Sequence, residues 1–195
     1  MDFEFVPYDG EGNELAQLSG KQAILLKRLR ERYTAEMIRT VLVPLILKTG
    51  PVSLRSLDWS VVNFSKEKNT ICSSSTPGVY ISIHRSYQEA LRFWKRRLFD
   101  PFRRRHPLQV RIDGQVYWTT FGQANFSLFV VENGILSFVI RNIAEIEHSM
   151  NMAVARQREE RTKAEQEGRK RRRSDLTKSA SPPLVVYRNV ARVRL

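Results

Sequence analysis

Fourteen consecutive residues, Arg92-Phe-Trp-Lys-Arg-Arg-Leu-Phe-Asp-Pro-Phe-Arg-Arg-Arg105, carry seven cations, four aromatic rings and a single acid. Guanidinium groups grip phosphate oxygens in pairs and aromatic faces stack on unpaired bases, so this composition suits a nucleic acid. The candidate phosphate ligands are Arg92, Lys95, Arg96, Arg97, Arg103, Arg104 and Arg105; the candidate stacking rings are Trp94, Phe99 and Phe102. A competing assignment exists for the rings. Tyr87, Leu91, Trp94 and Leu98 recur at helical spacing, which would turn Trp94 and Leu98 into a core and leave the arginines as a solvated face. Arg103 to Arg105 are harder to explain away, because they follow a helix-stopping Asp100-Pro101 and are difficult to neutralise locally. A second block, Arg169, Lys170, Arg171, Arg172 and Arg173, has the composition of a nuclear-import signal or a nucleic-acid-binding tail, a short pattern of low specificity.

The whole chain amplifies this bias. Thirty-three Lys and Arg against twenty Asp and Glu give a net charge of +13 over 195 residues. The first twenty residues are acidic and the excess of cations begins after them. Polyanions bind such surfaces largely by releasing condensed counterions, which places nucleic acid (DNA or RNA) first among partners and an anionic membrane or an acidic protein behind it. Charge serving only solubility is the plainer alternative.

Other chemistry finds little footing. Cys72 is the single cysteine, which excludes an internal disulfide and a cysteine-rich zinc site and suits a reducing compartment. His84, His106 and His148 fall in no metal-ligand spacing and no glycine-rich phosphate loop is present, so neither a catalytic set nor a cofactor is expected. Ser73 to Ser75 beside Cys72 read as a polar loop before they read as a nucleophile. The longest apolar run, Val41 to Leu47, is far short of the roughly 20 residues a span requires, and the acidic start lacks a signal pattern. An intracellular, soluble protein is the expectation.

The elements that must position these residues form an α+β, predominantly α pattern of four to six helices around one core. Residues 1–20 read as an acidic, loosely ordered lead-in that could fold back on basic surface. Ile24, Leu25, Leu29 and Tyr33 mark a short amphipathic helix; Thr34 is placed to cap a second apolar segment through Leu47, with Pro44 as its kink or end. Beyond the Gly50-Pro51 turn, residues 57–68 form a helix with Trp59, Val62 and Phe64 as its inward candidates, and residues 73–78 a loop. Ser86 and Glu89 have capping-box spacing, which predicts a helix from Tyr87 to about Phe99. Asp113-Gly114 sits between two alternating runs, 108–112 and 115–119, and predicts a tight hairpin. Thr120 and Gln123 start an apolar helix, Phe121 to Glu132, which Asn133-Gly134 stops. Phe121 to Asn142 resembles a helix-turn-helix by length and its central Asn133-Gly134, but Ile135-Leu-Ser-Phe-Val-Ile140 is too apolar to read a groove, which favours a core hairpin. A last helix keeps a seam of Val139, Ile143, Ile146, Met150 and Ala153 and loses it after Ala155. The globular part is thus 21–155, with 156–195 a basic helical extension, a linker and a strand-like tail, 184–195, able to pair with a sheet edge here or in a partner.

Asp58-Trp59-Ser-Val-Val-Asn63, Leu98-Phe-Asp-Pro-Phe102 with Arg103-Arg104, Thr119-Thr-Phe-Gly-Gln123 with Asn125-Phe126, Glu132-Asn-Gly134 and Leu176-Thr-Lys-Ser-Ala180 together resemble a family of small uncharacterised basic proteins of nucleocytoplasmic large DNA viruses, the phycodnavirus, mimivirus and iridovirus group. The chain departs from that pattern at Arg103, where the family often has cysteine, and at Ala124, where it often has leucine. The resemblance implies a viral protein of the host nucleus, the cytoplasmic virus factory or the virion, and no catalytic residue. Sequence-nonspecific nucleic-acid binding in viral genome replication, expression or packaging is the first expectation. An assembly adapter that meets an acidic protein is the second.

Overall fold

The computed structural model describes residues 3–9 and 11–166. Its first element contradicts the loosely ordered lead-in. Strand β1, Phe3–Pro7, pairs antiparallel with β4, Pro107–Ile112, which pairs in turn with β5, Gln115–Thr120. The missed strand is short and lies among acids, which masked the alternation of Phe3, Phe5 and Pro7 that meets Ile112, Val110 and Leu108 on the inner face. Folding back on basic surface does occur, since Glu4 and Glu14 lie 3.4 and 4.0 Å from Arg111.

Between β1 and β4 the chain is mostly helical. Helix α1, Gly20–Arg32, opens on a capping box between Ser19 and Gln22 and buries Leu25, Leu26 and Leu29. Ile24 is exposed on its far side. Thr34 caps α2 by accepting from the Met37 amide, as its sequence predicts. This helix runs Ala35–Met37, widens into a π turn at Ile38–Leu42 and finishes as Val43–Leu47, so Pro44 sits within it and Lys48 ends it in a left-handed conformation. Helix α3 likewise joins Leu54–Trp59, a π turn Ser60–Phe64 and Ser65–Glu67.

A small ribbon, β2 (Ile71–Ser73) with β3 (Tyr80–Ser82), was not legible in the sequence. Strand β3 feeds α4, Ile83–Trp94, directly, which places Ser86 and Glu89 inside the helix and not at its start. Ile83 is fully buried and its amide donates to the Thr70 carbonyl at 3.1 Å, fixing the earlier start; Glu89 faces Arg85 instead. Helix α5, Phe121–Glu132, is capped by Thr120 and buried on nearly every side. Gly134, at φ +67°, ends it against β2, where a Cβ would lie 2.3 Å from the Ser73 carbonyl oxygen. The expected last helix is two: α6, Ile135–Arg141, and α7, Ile143–Gln166, separated where Asn142 turns its side-chain amide onto the Phe138 carbonyl. Val139 and Ile146 are buried, and exposure is continuous from Ala155 to Lys163, as the loss of the seam predicts. No single described helix is long and apolar enough to cross a membrane.

Candidate nucleic-acid interface

The basic segment is a turn pinned at several points. Helix α4 ends at Trp94, five residues before its expected end, because Lys95 takes φ +62° and reverses the chain into a short 3-10 turn, Arg96–Leu98. This reversal carries Leu98 and Phe99 inward. Phe99 is 1% exposed and packs on Tyr87, Phe126 and Phe129; Trp94 is 7% exposed with the Arg28 guanidinium over its ring at 5.8 Å. Neither ring can stack on a base, which corrects that part of the expected site. Their apolar area is worth more in the core than in water. Phe102, at 53% exposure, keeps its face to solvent.

Two contacts hold the turn to α5. The Asn125 side-chain amide donates to the Leu98 carbonyl at 2.9 Å, and its oxygen accepts from Arg28 at 2.9 Å. Arg28 and Arg32 both engage Glu132, so a polar chain runs from the turn across α5 to α1. Gly122 allows the closest approach, since a Cβ there would lie 2.5 Å from the Asp100 carbonyl oxygen. Asp100 shapes the second half of the turn by accepting from the Phe102 amide at 2.9 Å. The Leu98-Phe-Asp-Pro-Phe and Thr-Thr-Phe-Gly-Gln-x-Asn segments are therefore two halves of one latch.

With Trp94, Leu98 and Phe99 held inside, most of the cations face out. Arg92, Lys95, Arg96, Arg97, Arg104 and Arg105 are exposed and Arg103 is half-buried. Among the described residues none of these seven forms an ion pair, although acids elsewhere engage Lys27, Arg28, Arg32, Arg39, Lys68, Arg85 and Arg111. His106 records the resulting field: burial lowers its pKa first, and Arg97, Arg103 and Arg105 lower it further. Arg97 thus acts on the same imidazole as Arg103 and Arg105. Gln22 of α1 holds the ring, 3.1 Å from Nδ1. The second basic block, Arg169 to Arg173, lies outside the described residues, as does the tail 184–195.

The serine-rich loop after Cys72 has a structural role. Ser74 and Ser75 donate to the carbonyls of Glu132 and Val131 at the end of α5, and burial pushes the Cys72 thiol up to about 11, away from the reactive thiolate. Among the described residues no three His, Cys, Asp or Glu side chains gather to hold a metal.

These features define a predominantly α, α+β protein whose most distinctive surface is a latched cationic turn. The chain belongs to the family of unknown function DUF7197, whose model matches residues 12–191. It is 25% identical over 151 residues to an uncharacterized protein of Acanthamoeba polyphaga mimivirus, a match covering 72% of this chain and 58% of that protein. No solved structure matches it.

Proposed function

We propose that this chain is a non-catalytic, largely sequence-nonspecific nucleic-acid-binding protein of a nucleocytoplasmic large DNA virus, acting in genome replication, expression or packaging. One observation carries the reading. Six exposed cations and the half-buried Arg103 lie on the end of α4 and on a turn whose backbone is fixed by buried contacts, with no described carboxylate paired to any of them. A preorganised set of guanidinium groups binds phosphates without first breaking internal ion pairs or ordering a loop. With Trp94 and Phe99 buried, Phe102 is the one expected stacking ring left exposed on the turn, whose contacts are then chiefly with phosphate and indifferent to sequence. Arg169 to Arg173 supply a second basic segment from beyond α7.

Fluorescence anisotropy of the full chain with labelled single- and double-stranded DNA and RNA, across a salt series, tests this. Replacing Arg103, Arg104 and Arg105 together by alanine should weaken binding and reduce the magnitude of the logarithmic salt slope by about 2 to 3, close to one unit per lost phosphate contact. Absence of binding at physiological salt, or binding indifferent to those three arginines, would overturn the assignment and direct attention to an acidic protein partner.

A further inference from the structure

On the outward face of the three-stranded sheet Glu4, Val116 and Trp118 are exposed, while Val6 and Gln109 beside them are buried. The register of this face sets out three rows: Tyr8 beside Pro107 and Thr120; Val6, Gln109 and Trp118; Glu4, Arg111 and Val116. Trp118 and Val116 are each 52% exposed in the middle of β5, although burying an indole is ordinarily strongly favourable. The indole is not loose. Tyr8 meets it edge-on at 4.9 Å, and the Tyr8 hydroxyl accepts from Arg111 at 3.0 Å, with Glu4 and Glu14 holding that guanidinium from the other side. A ring fixed in place with part of its surface in water, two residues from the sheet end where the chain enters from the cationic turn, is about 7 Å along the strand from that end.

We infer that Trp118 is a base-stacking platform and that the preferred ligand is single-stranded nucleic acid. The inference rests on the reading of the turn as a phosphate site, which it deepens by naming the strand type. A strand whose phosphates lie on Arg103, Arg104 and Arg105 is carried by the chain direction onto β4 and β5. There its unstacked bases meet the indole. Aromatic rings on the open face of an antiparallel sheet, next to a cationic track, are a general solution for single strands, because every base has a π-face and duplex bases hide theirs in the stack. Arg111 serves by orienting Tyr8, since Glu4 and Glu14 already engage its charge. The stacking ring thus sits outside the basic segment that advertises the phosphate contacts.

The test uses the full chain with a short oligothymidylate strand and a duplex of equal length, reading both anisotropy and tryptophan fluorescence. Trp94 is buried and Trp59 is packed against the core, so Trp118 is the indole placed to respond to bases. Trp118→Ala should weaken single-strand binding by roughly ten- to a hundredfold, leave the salt slope unchanged and alter duplex binding by less than about twofold. Trp118→Phe should keep most of the affinity and lose the fluorescence quenching, which separates stacking from a structural role. Single-strand affinity that is unmoved by Trp118→Ala while remaining dependent on Arg103 to Arg105 would overturn the platform and leave the phosphate site standing. Loss of single-strand and duplex binding to the same degree in Trp118→Ala would also overturn it, by marking a structural effect. Absence of arginine-dependent binding to either probe would overturn both.

Discussion

Trp94 and Trp118 stand in two regions that differ in what decides a side chain's direction. Trp94 lies among seven cations, the setting in which an aromatic ring most invites a functional reading, yet it is covered by Arg28 and the core. Trp118 lies in an unremarkable hairpin and faces water. Around Trp94 the helical repeat and the reversal at Lys95 aim apolar groups inward and leave the charges outside. Along β5 strict alternation sends Tyr117 and Thr119 toward the helices and Val116 and Trp118 away from them. Composition marks where charge is concentrated, and periodicity decides which rings can share in its work.

The sharpest way to break this comparison is to release the turn that keeps Trp94 and Phe99 inside. Gly122→Ala places a Cβ 2.5 Å from the Asp100 carbonyl oxygen, a backbone atom that cannot rotate aside. The substitution should destabilise the protein by about 3 kcal/mol or more, as overpacking at a rigid site does. Urea unfolding measures the loss. Trypsin should cut sooner within 96–105, because the turn must lift for the helix to accept the new atom; a parent-like cleavage rate would show that the latch does not depend on this approach.

The two tryptophans can then be compared directly. Trp94→Ala removes a buried ring and its cation-π partner and should cost about 3–5 kcal/mol in urea unfolding. Trp118→Ala removes a half-exposed ring with one aromatic neighbour and should cost at most about 1.5 kcal/mol. Equal losses would mean that Trp118 is structural, and the contrast between the two regions would fail.

Much of the fold was readable because its signals are local. The hairpin at Asp113-Gly114 is one: both residues adopt positive φ, and Ile112 pairs with Gln115 as the alternation predicts. The caps at Thr34 and Thr120 are others. What escaped depends on distant partners. Strand β1 exists through its pairing with residues more than a hundred positions away, and α4 starts early because Ile83 finds Thr70. The cationic residues of the candidate site could be named from the sequence, whereas its geometry could not. Lys95 takes a positive φ of +62°, a region that favours glycine, so the sequence pattern runs the helix on to Phe99. Trp118 could have been found by carrying the period-two reading through β5 and asking which face the helices cover.

The smallest effect concerns Asp58 of α3, which feels the charge of Asp100 in the turn. Burial raises the Asp58 carboxyl to about 6, with a further contribution from the Asp100 charge. Because its folded pKa lies above its ordinary value of 3.8, the folded protein binds the proton more tightly than the unfolded chain between those values. Any stability linked to this group is therefore full below about pH 4, falls as pH rises and is lost above about pH 6. Asp58→Asn keeps the shape and removes the charge, so it should stabilise the protein by about 1 kcal/mol at pH 7 to 8, with the advantage fading toward pH 4. Urea midpoints of parent and variant across that range test it. A pH-independent difference would show that Asp58 is solvated, whereas a converging pair of curves would mean that the fold keeps a half-buried carboxylate, further opposed by the Asp100 charge, despite a cost at neutral pH. That arrangement would be electrostatically unfavourable, unlike the sheet face, where Glu4 and Glu14 neutralise Arg111.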